Sequence, residues 1–187
     1  SGFVNGETSA VLSGTPTVTR SNSGTSSAGT YTGVLQPGGL TPGNYQFNYV
    51  NGDFTVVGSN QMLVRVANAS TTYGTDAAYS LTSAAYYNGT SVVNLGLGTG
   101  SITSLGNNQF TVADGAGGSA TVTVVPSGNQ ITSAAGKLKV GSYQLDPSGV
   151  STLNASNFSN NLVMVGSHTV SPKTLTASLS SPTKVYD

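Results

Sequence analysis

Short strings of this chain return in the same order about 110 residues downstream, and a chain that repeats itself at such an interval folds as tandem modules. Ser26-Ser27-Ala28-Gly29 returns as Ser133-Ala134-Ala135-Gly136, and Val56-Val57-Gly58-Ser59 as Met164-Val165-Gly166-Ser167. Val64 to Ser70 resembles Thr174 to Ser180, and Tyr73-Gly74 then matches Tyr186-Asp187. The order is kept and the interval grows slowly, which composition bias alone rarely produces. The expected organisation is residues 1–62 as the C-terminal part of a first module, 63–173 as a complete second module, and 174–187 as the opening strand of a third. Modules joined with so little linker describe a rod. Ser1 opens within the pattern, so the chain is expected to be an excised piece whose ends exchange strands between molecules.

No long window places apolar residues at helical spacing, whereas β-branched and aromatic residues alternate in short runs. Tyr45-Gln46-Phe47-Asn48-Tyr49-Val50 puts three aromatics on one strand face. Asn51-Gly52 offers the two positive-φ positions of a tight turn, and Asp53 to Val57 would run back as its partner. A second hairpin is expected where Gln109–Val112 and Ala120–Val124 flank Asp114-Gly115-Ala116-Gly117-Gly118. Further strands are expected at 62–67, 91–95, 137–145, 162–165 and 173–179. Such spacing predicts an all-β chain of tandem immunoglobulin-like β-sandwich modules, with β-grasp-like modules as the alternative.

Charge narrows the function classes. Only 6% of the 187 residues are Asp, Glu, Lys or Arg, against roughly 25% in an average soluble domain. Six basic residues balance six acidic ones and are scattered. No basic patch exists for nucleic acid, and no charged cleft for electrostatic steering. Cysteine is absent, which points either to a reducing compartment or to an exported bacterial protein that stays unbridged, and the Ser/Thr/Asn/Gly-rich composition favours the second. No apolar run approaches the roughly 20 residues of a membrane helix, so membrane insertion is not expected.

Tyr45 to Val57, followed by Leu63 to Ala67 and then Thr72-Tyr73-Gly74, resembles the MBG-type module in its "YG" form. Lys184-Val185-Tyr186-Asp187 is similar to the entry of a related "YDG" module. The resemblance is strong from Tyr45 to Gly74 and weak from Ala85 to Val125; the second copy of the hairpin, Asn157 to Val165, lacks the aromatic alternation. It implies a repeat segment of large, two-partner-secreted, filamentous-haemagglutinin-like adhesins of Gram-negative bacteria, placed on the extracellular cell surface, and it implies no catalytic residues.

The residues themselves offer little chemistry. His168 is the only histidine and stands between Ser167 and Thr169. Without a Gly-x-Ser-x-Gly elbow or a cysteine it reads as a solvated loop or strand-end residue. One His and no Cys leave no thiolate or imidazole cluster for zinc, and the scattered Asp53, Asp76, Asp114, Asp146 and Asp187 do not form an Asp-x-Asp-x-Asp-Gly calcium loop, which leaves only a calcium site assembled from distant loops open. Asp114-Gly and Asp146-Pro read as turn formers. Gly96 to Gly100 lacks the spacing and the Lys-Ser/Thr of a phosphate loop, and no cofactor is expected. Four sequons, at Asn68, Asn88, Asn154 and Asn157, are open to glycosylation. Lys137, Lys139 and Lys173 are the candidates for a self-formed isopeptide link to Asn.

Nine tyrosines and no tryptophan leave one binding chemistry open, aromatic stacking on sugar rings. Tyr86, Tyr87 and Asn88 are the candidate contacts, because adjacent strand residues face opposite ways and one tyrosine must point outward. The competing expectation is that the tyrosines pack, with Tyr73 and Tyr186 anchoring module entries. The function these features predict is a stalk or spacer segment of a secreted surface adhesin, serving attachment or a biofilm matrix. Its partners would be neighbouring modules and a glycan, exopolysaccharide or host surface.

Overall fold

The computed structural model describes residues 2–97, 101–127, 132–154, 157–158 and 161–179. The chain divides into two compact units, Ser1–Gly58 and Ser59–Asp187. The first holds a short 3-10 turn at Ser9–Val11 and strands β1 (Ser13–Arg20), β2 (Gly29–Thr41) and β3 (Gly52–Val56). The second holds β4 (Met62–Val66), β5 (Ala69–Thr72), β6 (Leu81–Tyr87), β7 (Val92–Gly96), β8 (Ile102–Gly106), β9 (Gln109–Ala113), β10 (Ser119–Pro126), β11 (Gly141–Leu153), β12 (Leu162–Val165) and β13 (Ser167–Ser171). The protein is all-β, as the alternation predicts.

The second unit is a sandwich of a six-stranded sheet, in the order β5-β13-β11-β10-β9-β8, and a four-stranded sheet, β12-β4-β6-β7. Period-two alternation builds its core. Met62, Val64 and Val66 of β4, Leu162 and Met164 of β12, and Leu95 of β7 face Phe110, Val112, Ala120, Val122, Val124 and Leu145 of the larger sheet. In β6 the register slips, with Arg65 opposite Ser83 but Val66 opposite Leu81. That bulge turns Leu81 inward together with Ala84 and Tyr86. Phe158, from the connection before β12, plugs the core against Tyr86.

The first and last strands of this unit lie side by side and run the same way. Met62 to Arg65 pair in parallel with Leu162 to Val165, and Ala69 to Thr72 with His168 to Ser171. Between these pairs both chains cross from one sheet to the other, at Ala67-Asn68 and at Gly166. The crossing is tied by the Ser167 N–H, which donates to Asn68 Oδ1 at 3.0 Å. The chain therefore enters at one end of the unit and leaves at the other.

The first unit is a single antiparallel sheet, β1-β2-β3, and none of its described residues is fully buried. It repeats β10-β11-β13 strand for strand. Gly29-Thr30-Tyr31 of β2 pair with Val56-Thr55-Phe54, as Gly141-Ser142-Tyr143 of β11 pair with Val170-Thr169-His168. The Tyr31 hydroxyl donates to Ser27 O at 2.9 Å and the Tyr143 hydroxyl to Lys139 O at 2.8 Å, each four residues back. Thr30 and Thr55 hydroxyls meet at 3.1 Å, as do those of Ser142 and Thr169. Further along, Leu35 lies opposite Gly52, and the Leu145 N–H donates to Gly166 O.

This register revises the sequence alignment. Val56 corresponds to Val170 rather than Met164, and Gly29 to Gly141 rather than Gly136. Pairing against the Gly-x-Tyr strand fixes the equivalence, and short apolar-Gly-Ser strings do not.

The hairpin around Asn51-Gly52 does not form. Neither residue has a positive φ, residues 46–50 lie in no strand, and Gly52–Val56 pairs with β2 instead. The hairpin across Asp114 to Gly118 does form, with Ala113 opposite Ser119. A hairpin not read from sequence joins β8 to β9 through Asn107 and Asn108, both at positive φ, the two-residue turn that favours Asn. The strand expected from Lys137 begins only at Gly141; Leu138 makes an isolated antiparallel bridge to Thr132 across the turn at Ser133 to Gly136. Residues 172–179, expected as a strand from Lys173, lie in none.

Candidate functional site

Tyr73-Gly74 is a turn by necessity. The Thr75 N–H donates to Thr72 O at 3.0 Å and Gly74 holds φ +93, a backbone form that a Cβ opposes. The Tyr73 N–H donates to Ser171 O, so the turn is pinned to the end of β13. Beyond it, residues 75–79 cross the sheet, held by Asn108, which accepts from the Tyr79 N–H at 2.8 Å and donates to Ala77 O at 3.1 Å.

This crossing roofs a cleft of about 380 Å³ lined by Asp76, Tyr79, Asn108, Lys137, His168 and Val170 among others. His168 is its buried floor and not a solvated strand-end residue. It occupies an inward position of β13, the one that Phe54 takes in β3. The Thr71 hydroxyl lies 2.7 Å from its Nε2 and the Tyr79 hydroxyl 2.9 Å from its Nδ1. A neutral imidazole has one donor and one acceptor nitrogen, and a hydroxyl answers either. Burial holds the His168 pKa below its ordinary value and pushes that of Tyr79 up. No carboxylate among the described residues orients the ring. Asp76, at the rim, is taken by Lys137, with contacts of 2.6 and 2.7 Å in an exposed pair of small energetic value. The arrangement is a packed polar core with a shallow mouth.

The three residues singled out for sugar contact have separate fates. Tyr86 is 6% exposed, and its hydroxyl donates to Asp114 O at 3.0 Å, so it has no free ring face. Tyr87 points outward at 39% exposure, its hydroxyl donating to Gly89 O at 3.0 Å. The Asn88 carboxamide oxygen is spent on the turn, accepting from the Thr90 and Ser91 N–H groups. Of the three, only Tyr87 presents a face.

Asp114 does more than begin a turn. Its Oδ1 accepts from the Ala116 and Gly118 N–H groups at 2.7 and 2.8 Å, and Oδ2 from the Asn157 amide at 2.8 Å. Burial works to raise its pKa, but the Asn157 amide and the backbone N–H groups together outweigh burial and hold the carboxyl below the usual range. The dipeptide Asp-Gly was a legible signal for this clip; its partner Asn157, remote in sequence, was not.

Other candidates sort quickly. No group of three His, Asp or Glu side chains converges among the described residues. Lys137 is half-buried on Asp76, and Lys139 and Lys173 are exposed, so none occupies the apolar interior that an isopeptide link needs. In the first unit Phe3 packs edge-on against Tyr45, and Phe47 stacks on Tyr49 at 5.4 Å; Tyr45 also bonds Glu7. Tyr186, residues 98–100 of the glycine-rich loop, and Ser156 and Ser159 of two sequons lie outside the described residues.

No curated protein and no solved structure matches the chain. Residues 1–55 match the family model of the MBG domain (YGX type). The match spans β1, β2 and nearly all of β3, so the first unit carries an MBG-type module whose strand pattern recurs in the second.

Proposed function

We propose that this chain is a stalk or spacer segment of a large secreted bacterial surface adhesin, serving attachment or a biofilm matrix and catalysing no reaction. One observation carries the reading: the entry and exit strands of the second unit pair in parallel, from Met62 opposite Leu162 to Thr72 opposite Ser171. Tension along the chain then pulls these strands past each other. Their hydrogen bonds are loaded together in shear, whereas a hairpin pulled from its open end loses them one at a time. Such an arrangement suits a module in a load-bearing series. The MBG-type match and the recurrence of β1-β2-β3 as β10-β11-β13 support the serial part of the reading.

Force spectroscopy tests it, and the absence of cysteine makes attachment simple. A chain held through Ser59→Cys and Pro172→Cys is expected to resist strongly and then release roughly 35 nm of contour length. The same chain held through Ser80→Cys and Leu97→Cys unzips β6 from β7 at a much lower force. Equal forces in the two geometries refute the mechanical reading.

A second reading, binding of glycan or matrix polysaccharide, has one favouring observation, the outward ring of Tyr87. Saturable glycan binding that Tyr87→Ala abolishes would establish it in place of a passive spacer.

A further inference from the structure

The first unit holds a cation at the place where the second holds a cleft. Strand pairing fixes the equivalence. Arg20 lies opposite Leu35, and Pro126 opposite Leu145. The next residue along repeats its bond as well: the Ser21 N–H donates to Val34 O at 2.9 Å, and the Ser127 N–H to Gln144 O at 2.8 Å. Across the sheet Tyr31 lies opposite Phe54, and Tyr143 opposite His168. Arg20 and Phe54 of the first unit are therefore Pro126 and His168 of the second.

In the first unit these two side chains meet. The guanidinium carbon of Arg20 stands 4.4 Å from the centroid of the Phe54 ring, a cation–π contact. Its Nη2 donates to the carbonyl oxygens of Asn22, Ser23 and Thr25 at 3.0, 2.8 and 2.7 Å. Proline carries no cation, so Pro126 cannot repeat the contact on His168. Both residues instead line the cleft of about 380 Å³. That volume is at the low end of ligand pockets, roughly 300–1,000 Å³, and leaves room for a small planar group.

The cleft keeps the chemistry that receives a guanidinium. Its floor is the His168 ring, which burial keeps uncharged at neutral pH, with the Tyr79 ring edge-on to it at 5.7 Å. At the mouth stands the Asp76 carboxylate, its side chain 82% exposed. Lys137 reaches Asp76 with its Nζ. A guanidinium offers a carboxylate two parallel N–H donors, which a single ammonium does not match. The exposed Lys137–Asp76 pair that it would displace is worth little.

We propose that this cleft is a binding site for a guanidinium group, the side chain of arginine, which lies over His168 and Tyr79 and pairs with Asp76 in place of Lys137. The site does not depend on the chain's being a spacer. It would give one module of a series a specific contact that its neighbour, with Arg20 already on Phe54, lacks.

Titration of the whole chain with N-acetyl-arginine amide at neutral pH, followed by NMR, tests this. Saturable shifts are expected at Asp76, Tyr79, Lys137 and His168 and not at Arg20 or Phe54. The matched amides of N-acetyl-lysine and N-acetyl-citrulline, which lack the fork or the charge, should bind at least about tenfold more weakly. Asp76→Asn should weaken binding of the arginine amide about tenfold, and Lys137→Gln should strengthen it roughly threefold by freeing Asp76. Both changes lie at the exposed rim and leave the fold intact. Pro126→Arg, which supplies the cation from within, should abolish binding and move the Tyr79 and His168 signals as the probe does. Tighter binding of free arginine than of an end-blocked Ala-Ala-Arg-Ala-Ala peptide identifies the ligand as a small molecule; the reverse identifies an arginine of a protein partner. Absence of saturable binding overturns the proposal. So do equal affinities for the arginine and citrulline amides, shifts that fall elsewhere, or an Asp76→Asn chain that binds like wild type.

Discussion

Replacing Gly166 by alanine should cost the second unit more than any surface change of equal size. A Cβ at this position would stand 2.9 Å from Val66 Cβ, 2.9 Å from Val66 O and 3.3 Å from Leu145 Cδ1. Carbon atoms rest at about 3.5–4.0 Å, so β4 would have to retreat by more than half an ångström. It has nowhere to go. Residues 62–65 are paired to β12 on one side and to β6 on the other, and the Leu145 N–H holds the Gly166 carbonyl from the opposite sheet at 3.0 Å. Overpacking a fixed site costs about 1–3 kcal/mol. With backbone on one side of the clash the upper half of that range applies, lowering the midpoint by roughly 6–12 °C. Thermal unfolding followed by circular dichroism reads this directly. Gly96→Ala is the control, because its Cβ would meet nothing within 4 Å and no positive φ opposes it. If Gly166→Ala melts within a degree of Gly96→Ala, the claim that both crossing chains are locked at this point is wrong.

Two buried titratable groups give separable pH windows. The folded His168 pKa is lowered from 6.5, so as pH falls below about 6.5 the unfolded chain binds a proton the folded chain does not, and stability declines until the folded imidazole also protonates. His168→Phe, the residue at the matching place in β3, should abolish that decline while costing about 1–3 kcal/mol at neutral pH, by stranding the Thr71 and Tyr79 hydroxyls; urea titrations at several pH values check both. The Asp114 carboxyl is held below 3.8, so its contribution is present above that pH and lost as pH falls through its folded value. Asp114→Ala should cost about 2–4 kcal/mol at pH 7, by unpairing two N–H groups and the Asn157 amide, and should flatten the acid limb. Tyr86→Phe should cost about 1 kcal/mol through the lost bond to Asp114 O, whereas Tyr87→Phe should stay within about 0.5 kcal/mol; matched denaturation curves decide.

Strands were legible where side-chain period and tertiary partner agreed. Gln109–Val112 and Ala120–Val124 alternate apolar with polar and have only a short glycine-rich loop to cross, so local pattern and final pairing coincide. Tyr45 to Val50 has the stronger alternation and fails, because a strand exists only as half of a pair. Asn51-Gly52 permits a tight turn but does not compel one, and β2 competes for Gly52–Val56 and wins. The candidate site was legible to the same degree. Alternation required one of Tyr86 and Tyr87 to point outward, but which one depends on the β6 bulge. His168 looked solvated because its neighbours are Ser and Thr. Its partners Thr71 and Tyr79 stand nearly a hundred positions earlier, and nothing local announces them.

Composition and periodicity by themselves determined that this chain is all-β, nearly uncharged and internally repeated, because those properties follow from which side chains exist and at what spacing. The tertiary structure decided the rest. It set the register of the repeat, through the Gly-x-Tyr strands that every closing strand must pair with. It buried the only histidine. It placed the opening strand of the second unit parallel to the closing one, so that the chain passes through from end to end. Each is a choice among partners far apart in sequence. Many pairings there are locally acceptable, and only the simultaneous burial of both sheet faces selects one.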